Sequence, residues 1–201
     1  MPETQQPGRG MPKGRMEAFT DGVVAIIITI MVLELKVPAG HDFAALAASL
    51  PVFLAYVLSY INIGLYWNNH HHLMQAVERV NGRALWANLF FLFWLSLAPF
   101  VIRWMDESGF VALPTAAYGV VFVMAGIGYT WLQAEIIACN GPNSILAAAI
   151  GDDRKGKLSL ALYFIAIPLA FVTPWLSIAI YIVITALWFV PDKRIEQFEP
   201  K

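Results

Sequence analysis

Six stretches of this chain, at about 17–35, 44–67, 84–104, 111–138, 158–173 and 174–190, are dominated by apolar residues. Their lengths match the roughly 17 to 25 residues that a helix needs to cross a bilayer. The whole chain of 201 residues follows the same pattern, with 59 % hydrophobic and only 13 % charged residues and a mean hydropathy of +0.63. Those values belong to a membrane protein. The fifth stretch, KLSLALYFIAIPLAFV, is short and runs into Thr173-Pro174. Proline cannot extend the helix before it and biases its neighbour away from helical angles, so this dipeptide reads as a tight turn between two spans. A single kinked helix would need about 33 residues here, longer than one crossing requires.

Orientation follows from Lys and Arg, which are retained on the cytoplasmic side of a membrane. With the N-terminus inside, the inner segments hold Arg9, Lys13, Arg15, Arg79, Arg83, Arg154, Lys155, Lys157, Lys193, Arg194 and Lys201, and the outer segments only Lys36 and Arg103. This division supports six spans with both termini cytoplasmic. The first apolar segment lies behind a polar leader without a small-residue cleavage site, so it is expected to remain in the mature protein. The formal net charge of -1 gives no reason to expect a nucleic-acid partner.

Residues 1–13, rich in Gly, Pro and Gln, read as a disordered leader, 14–190 as the six-helix membrane domain and 191–201 as a cytoplasmic tail. The loop at 139–157 has turn signals at each end and the apolar run SILAAAI between them, which suits a short interfacial helix. The single cysteine, Cys139, excludes an intrachain disulfide and a cysteine-based metal cage. A bundle of six helices has too few walls to enclose a wide aqueous path alone. Transport would need several copies around an axis, and closed cyclic symmetry is the usual arrangement.

The first span, FTDGVVAIIITIMVLEL, carries two contrasting faces. At 100° per residue, Gly22, Ile26, Thr29 and Leu33 fall within one narrow sector with Ile30 at its edge. Such a stripe packs on lipid or on another helix, or forms a hydrophobic constriction on a symmetry axis that gates permeation through its wetting. Asp21 lies about 100° from the stripe. An acid within a span costs roughly 2.5–3.5 kcal/mol on insertion scales, and such residues normally face the bundle interior and find partners. Asp21 is therefore read either as a helix-end acid near water or as an interhelical clasp.

Candidate partners end the second span: Tyr60, Trp67, Asn68, Asn69, His70, His71 and His72. Consecutive residues of a helix point 100° apart, so the three histidines cannot bind one ion without breaking the helix. A metal site would need ligands from elsewhere, and no HExxH-like spacing is present. The third span, ALWANLFFLFWLSLAPFVIRW, adds Asn88 and Trp94 among aromatics expected to pack or to sit at the interface.

These residues also carry a resemblance. RMEAFTDGVVAIIITIMVLELKVP resembles the first span of the transmembrane protein 175 family of potassium channels, in its short prokaryotic form, with its Arg-x-x-x-Phe-Ser-Asp signature. Arg15, Phe19 and Asp21 match, and Thr20 replaces Ser while keeping the hydroxyl. YWNNHHHLM is similar to the Tyr-Trp-x-x-His-His element that ends the family's second span, matched by Tyr66, Trp67, His70 and His71, and NLFFLFWLSLAPF is similar to its third span. The resemblance covers about 15–190. It implies a homotetramer of six-span subunits whose first spans line a central pore in a prokaryotic plasma membrane. It also implies a constriction at Ile26, pore-facing positions at Thr29, Ile30 and Leu33, and an interhelical network of Arg15, Thr20, Asp21 and His70, with Phe19 in the signature. Arg15 and Asp21 are about 240° apart on the helix and cannot pair locally. No TVGYG-like loop occurs in the sequence.

The expectation is a passive channel that prefers potassium to sodium, with no catalytic residue, resident metal or cofactor, and with copies of itself, membrane lipid and permeating monovalent cations as partners. The alternatives are a proton-coupled transporter using Asp21 and His70, and a membrane metalloenzyme using the histidines with Asp21 or Glu78.

Overall fold

The computed structural model describes residues 11–75, 77, 79–141 and 153–189. They form α1 (Gly14–Leu33), α2 (Phe43–Ala48), α3 (Leu50–Gln75), α4 (Gly82–Ser96), α5 (Ala98–Glu107), α6 (Ala112–Asn140), α7 (Arg154–Leu169) and α8 (Pro174–Phe189). The fold is all-α except for a two-residue antiparallel pair, β1 (Met11–Pro12) with β2 (Arg79–Val80), registered as Met11 to Val80 and Pro12 to Arg79.

Local chemistry sets several of these boundaries. Asp42, Asn81 and Asp153 cap α2, α4 and α7 by accepting the backbone N–H of Ala45, Ala84 and Gly156 at 2.9, 2.8 and 2.9 Å. Each satisfies one of the donors that a helix start leaves open. Pro174 opens α8, where its missing N–H is no loss. Helix α6 ends at Gly141, whose φ of 94° suits a residue without a Cβ.

Among the described residues, four segments are long and apolar enough to cross a membrane: Gly14–Leu33, Leu50–Gln75, Gly82–Glu107 and Ala112–Asn140. The chain between α1 and α3 differs from a simple loop entering a span at 44. Residues 43–48 form the separate helix α2, and the long helix starts at Leu50 and runs through all three consecutive histidines. The third segment extends beyond 84–104 and is jointed at Leu97 into α4 and α5. Helices α7 and α8 have 16 residues each, about 24 Å of rise, and pack on one another after the turn at 170–173. Within the stretch expected to be a disordered leader, Met11 and Pro12 are held by β2 and Lys13 precedes α1. Residues 1–10, the middle of the 139–157 loop, Glu78 and the tail lie outside the described residues.

Helix α6 is the packing centre, touching α4, α5, α7 and α8, whereas α1 packs against α3, α4 and α5. Close approach needs small residues where backbones meet. A Cβ at Gly128 would stand 2.9 Å from the Phe91 Cα of α4, whereas Gly64 of α3 faces open space. Polar side chains tie the same core across helices. Tyr181 donates to the Thr115 carbonyl at 3.1 Å, Ser59 and Tyr118 share a bond of 3.1 Å, and Thr185 and Asn62 lie 2.9 Å apart. Each such bond contributes on the order of 0.6 kcal/mol in a membrane protein.

Gly128→Val should therefore lower stability by about 1–3 kcal/mol, because the α4 backbone cannot yield as a flexible side chain would. Gly64→Ala should be neutral or slightly stabilising. Thermal unfolding of the two variants in one detergent checks the difference, and equal midpoints would contradict the close-approach account.

Candidate functional site on the first helix

Helix α1 has one face fixed to the bundle and one face left open. Met16, Thr20, Val24, Ile27 and Met31, at spacings of four, four, three and four, are buried. Gly22, Ile26, Thr29, Ile30 and Leu33 face outward, with Ile26 58 % and Leu33 80 % exposed. The Thr29 hydroxyl donates to the Ile26 carbonyl of its own helix at 2.9 Å, which leaves its oxygen lone pairs on the open face. Ile26 and Ile30 also line a groove of about 690 Å³ between α1 and α5, together with Val23, Phe100, Arg103 and Glu34.

The fixed face is anchored mainly near the N-terminus of α1. Asn88 of α4 donates to the Thr20 hydroxyl at 2.9 Å, with both side chains buried. One residue on, Asp21 is exposed and accepts the Trp67 indole N–H of α3 at 2.8 Å. The Trp67 ring stacks on His71, with centroids 5.7 Å apart, and His71 Nδ1 lies 3.8 Å from Glu17. Lys13 donates to the Met74 carbonyl, and the β1–β2 pair sits just before it in the chain. These attachments join the start of α1 to the end of α3 and the start of α4.

The nine residues singled out in the sequence separate into distinct environments. Ile26, Thr29, Ile30 and Leu33 share the open face, as does Phe19 at 52 % exposure. Thr20 and Asp21 contact different helices. His70 is 1 % exposed and stacks on Phe91, centroids 6.4 Å apart, with Asn88 as a neighbouring polar group. Its Nε2 and the Asn88 Oδ1 have no hydrogen-bond partner among the described residues. Arg15 is exposed and makes no bond to a described residue, so within one chain it does not join Thr20 and Asp21. Asn88, Trp67, His71 and Glu17 supply the partners instead. The first three were visible as polar or aromatic side chains at the right end of their spans, but periodicity did not pair them. Among the described residues no three His, Cys, Asp or Glu side chains stand close enough together to hold a metal ion.

Long apolar helices and a first helix with one unpartnered apolar face define a helical membrane protein whose distinctive surface is α1. The family model described as endosomal/lysosomal potassium channel TMEM175 matches residues 15–99, from Arg15 into the start of α5. A potassium channel of Chryseobacterium sp. (strain P1-3) is 52 % identical over 187 residues, covering 93 % of this chain and 97 % of that protein. A potassium channel of Streptomyces collinus (strain DSM 40733 / Tue 365) is 31 % identical over 177 residues, covering 83 % and 86 %. The fold matches the crystal structure of a lysosomal potassium-selective channel TMEM175 homolog from Chamaesiphon minutus with a TM-score of 0.72 at 27 % identity, over 89 % of this chain and 96 % of that one. The chain belongs to the TMEM175 family.

Removing the Asn88 amide strands a buried hydroxyl, so Asn88→Ala should destabilise by about 1–3 kcal/mol. Trp67→Phe frees only an exposed carboxylate and should cost less, about 0–1 kcal/mol. Thermal unfolding in detergent ranks the two, and the reverse order would show that the Asp21–Trp67 bond is the stronger anchor.

Proposed function

We propose that four copies of this chain form a passive cation channel that passes potassium in preference to sodium. The observation that carries the reading is the open face of α1: Ile26, Ile30 and Leu33 are exposed on a helix whose other face is packed and hydrogen-bonded. An apolar face of this kind needs a partner, and four α1 helices around an axis would supply one another. The relatives named potassium channels support the activity.

In this arrangement the subunit spans the bilayer six times with both termini cytoplasmic, in the plasma membrane of a prokaryote. Ile26 forms the narrowest ring, and Thr29, Ile30 and Leu33 continue the pore wall. A ring of aliphatic side chains gates by its wetting, because a narrow dry segment offers an ion nothing in exchange for its hydration shell. The Thr29 oxygens, one turn along, replace part of that shell. In this reading Arg15, exposed near the N-terminus of α1, pairs with a neighbouring subunit, while Thr20 and Asp21 keep α1 at a fixed angle within its own. No catalytic group or resident cofactor enters this mechanism, and potassium is the permeating ion.

A proton-coupled transporter would need Asp21 and His70 to exchange a proton. Asp21 instead accepts from Trp67, while His70 stacks on Phe91. Flux from liposomes loaded with potassium or sodium, without a pH gradient, tests the channel reading. The wild type should pass potassium faster. Ile26→Asn should raise flux of both ions and shrink the ratio between them, since an amide ring wets readily. Wild-type flux equal to that of protein-free liposomes, or flux that appears only with a pH gradient, would overturn it.

A further inference from the structure

The end of α1 that carries Leu33 is surrounded by charge. Arg103 of α5 donates to Glu34 through Nη1 at 3.2 Å and to Glu107 through Nε at 3.1 Å. Lys36 lies 3.4 Å from Asp106 and 3.5 Å from Glu107. Three carboxylates thus share two cations, and the cluster keeps an excess of negative charge. Glu34 is the carboxylate contributed by the end of α1 itself: it follows Leu33 directly, lies one turn beyond Ile30, and, with Arg103 and Glu107, lines the same groove as Ile26 and Ile30. Its side chain is 23 % exposed, against 55 % for Arg103.

We propose that Glu34 is the residue that concentrates cations at this mouth of the pore, and that Arg103 is a positioning residue that holds the Glu34 carboxylate and offsets part of its charge. The inference rests on the channel reading and assigns a specificity role outside the Ile26–Leu33 stripe. Pairing with Arg103 does two things at once. It fixes the carboxylate beside the groove, and it limits how strongly the mouth attracts ions, so Arg103 sets the level of attraction as well as the geometry. With the ion pairs repeated in each copy, a change of one charge per subunit becomes a change of four around the axis.

Charge of this kind acts through the electrostatic potential at the mouth, which raises the local cation concentration and is screened by salt. The screening length is about 30 Å at 0.01 M and about 3 Å at 1 M. A role through potential must therefore fade as salt rises, and a role through packing must not.

The test is potassium conductance of the full-length protein in planar bilayers of neutral lipid at 10 mM and 1 M potassium chloride. At 10 mM, Glu34→Gln should lower conductance about threefold and Arg103→Gln should raise it by a similar factor. At 1 M both should lie near the wild type. Arg103→Lys, which keeps the charge, should stay near wild type at both concentrations. The double variant Glu34→Gln with Arg103→Gln should return towards wild type at 10 mM, because the two charge changes cancel. Single-variant shifts of the same sign, shifts of equal size at both salts, or no shift in the presence of wild-type conductance would overturn the proposal. Absence of wild-type conductance would instead overturn the channel reading beneath it. Thermal unfolding of each variant alongside the recordings identifies any that fails to fold, in which case the charge-conserving Glu34→Asp and Arg103→Lys pair carries the comparison: both should keep the wild-type ratio of conductance between the two salts, and a changed ratio in either overturns the proposal.

Discussion

Hydrocarbon offers a helix no hydrogen-bond partner, so the backbone bonds of each span are closed within the helix itself. What then fixes one span against another is a small number of side-chain contacts and the closeness with which backbones approach. In this protein Gly128 lets α6 reach the α4 backbone, and a few hydroxyl and amide groups, Tyr181, Tyr118, Asn62 and Thr185 among them, join α3, α6 and α8. Those packed helices are the frame on which α1 is mounted. On that frame α1 directs its interhelical hydrogen bonds to Asn88 and Trp67 and leaves the opposite face aliphatic.

The two faces of α1 answer different physical demands. Thr20 meets Asn88 in a dry interior where an unmade bond is costly, whereas Asp21 meets Trp67 at an exposed position where water competes. The adjacent residues thus divide the anchoring between a strong buried contact and a weaker surface one. Ile26, Ile30 and Leu33 have no comparable partner among the described residues. Their exposure is tolerable in lipid or against further copies of the same helix, and membership of a channel family favours the second.

Much of this was legible in the sequence because it depends on periodicity. The lengths of the apolar stretches gave the helices, and the 100° projection of Gly22, Ile26, Thr29 and Leu33 gave a stripe that the fold leaves open. Partner choice was not legible. Asn88 lies 68 residues from Thr20 and Trp67 lies 46 from Asp21, and nothing in the spacing within either helix says which face of another helix it meets. The separate helix α2 and the joint at Leu97 were also hidden, since Asp42 caps a short apolar helix with residues that read equally well as the start of a span. The charge cluster around Arg103 depends on the C-terminal ends of α1 and α5 meeting at one end of the bundle, a matter of tertiary structure alone.

The anchors of α1 are unevenly distributed along its length. Lys13, Glu17, Thr20 and Asp21 tie its first two turns by directional polar contacts, while beyond them α1 is held by the apolar packing of Val24, Ile27 and Met31 and by the surface ion pair of Glu34 with Arg103, a type of contact worth about 0–1 kcal/mol. A rod tied by directional bonds at one end and by non-directional apolar contacts along the rest pivots about the tied end. Thirteen residues separate Thr20 from Leu33, about 20 Å of helix, so a tilt of about 5° at the clamp moves Leu33 by about 1.7 Å. That distance is comparable to the radius of a water molecule, so in the proposed channel a pivot at Thr20 too small to break its bond to Asn88 would alter how closely the far ends of neighbouring α1 helices approach.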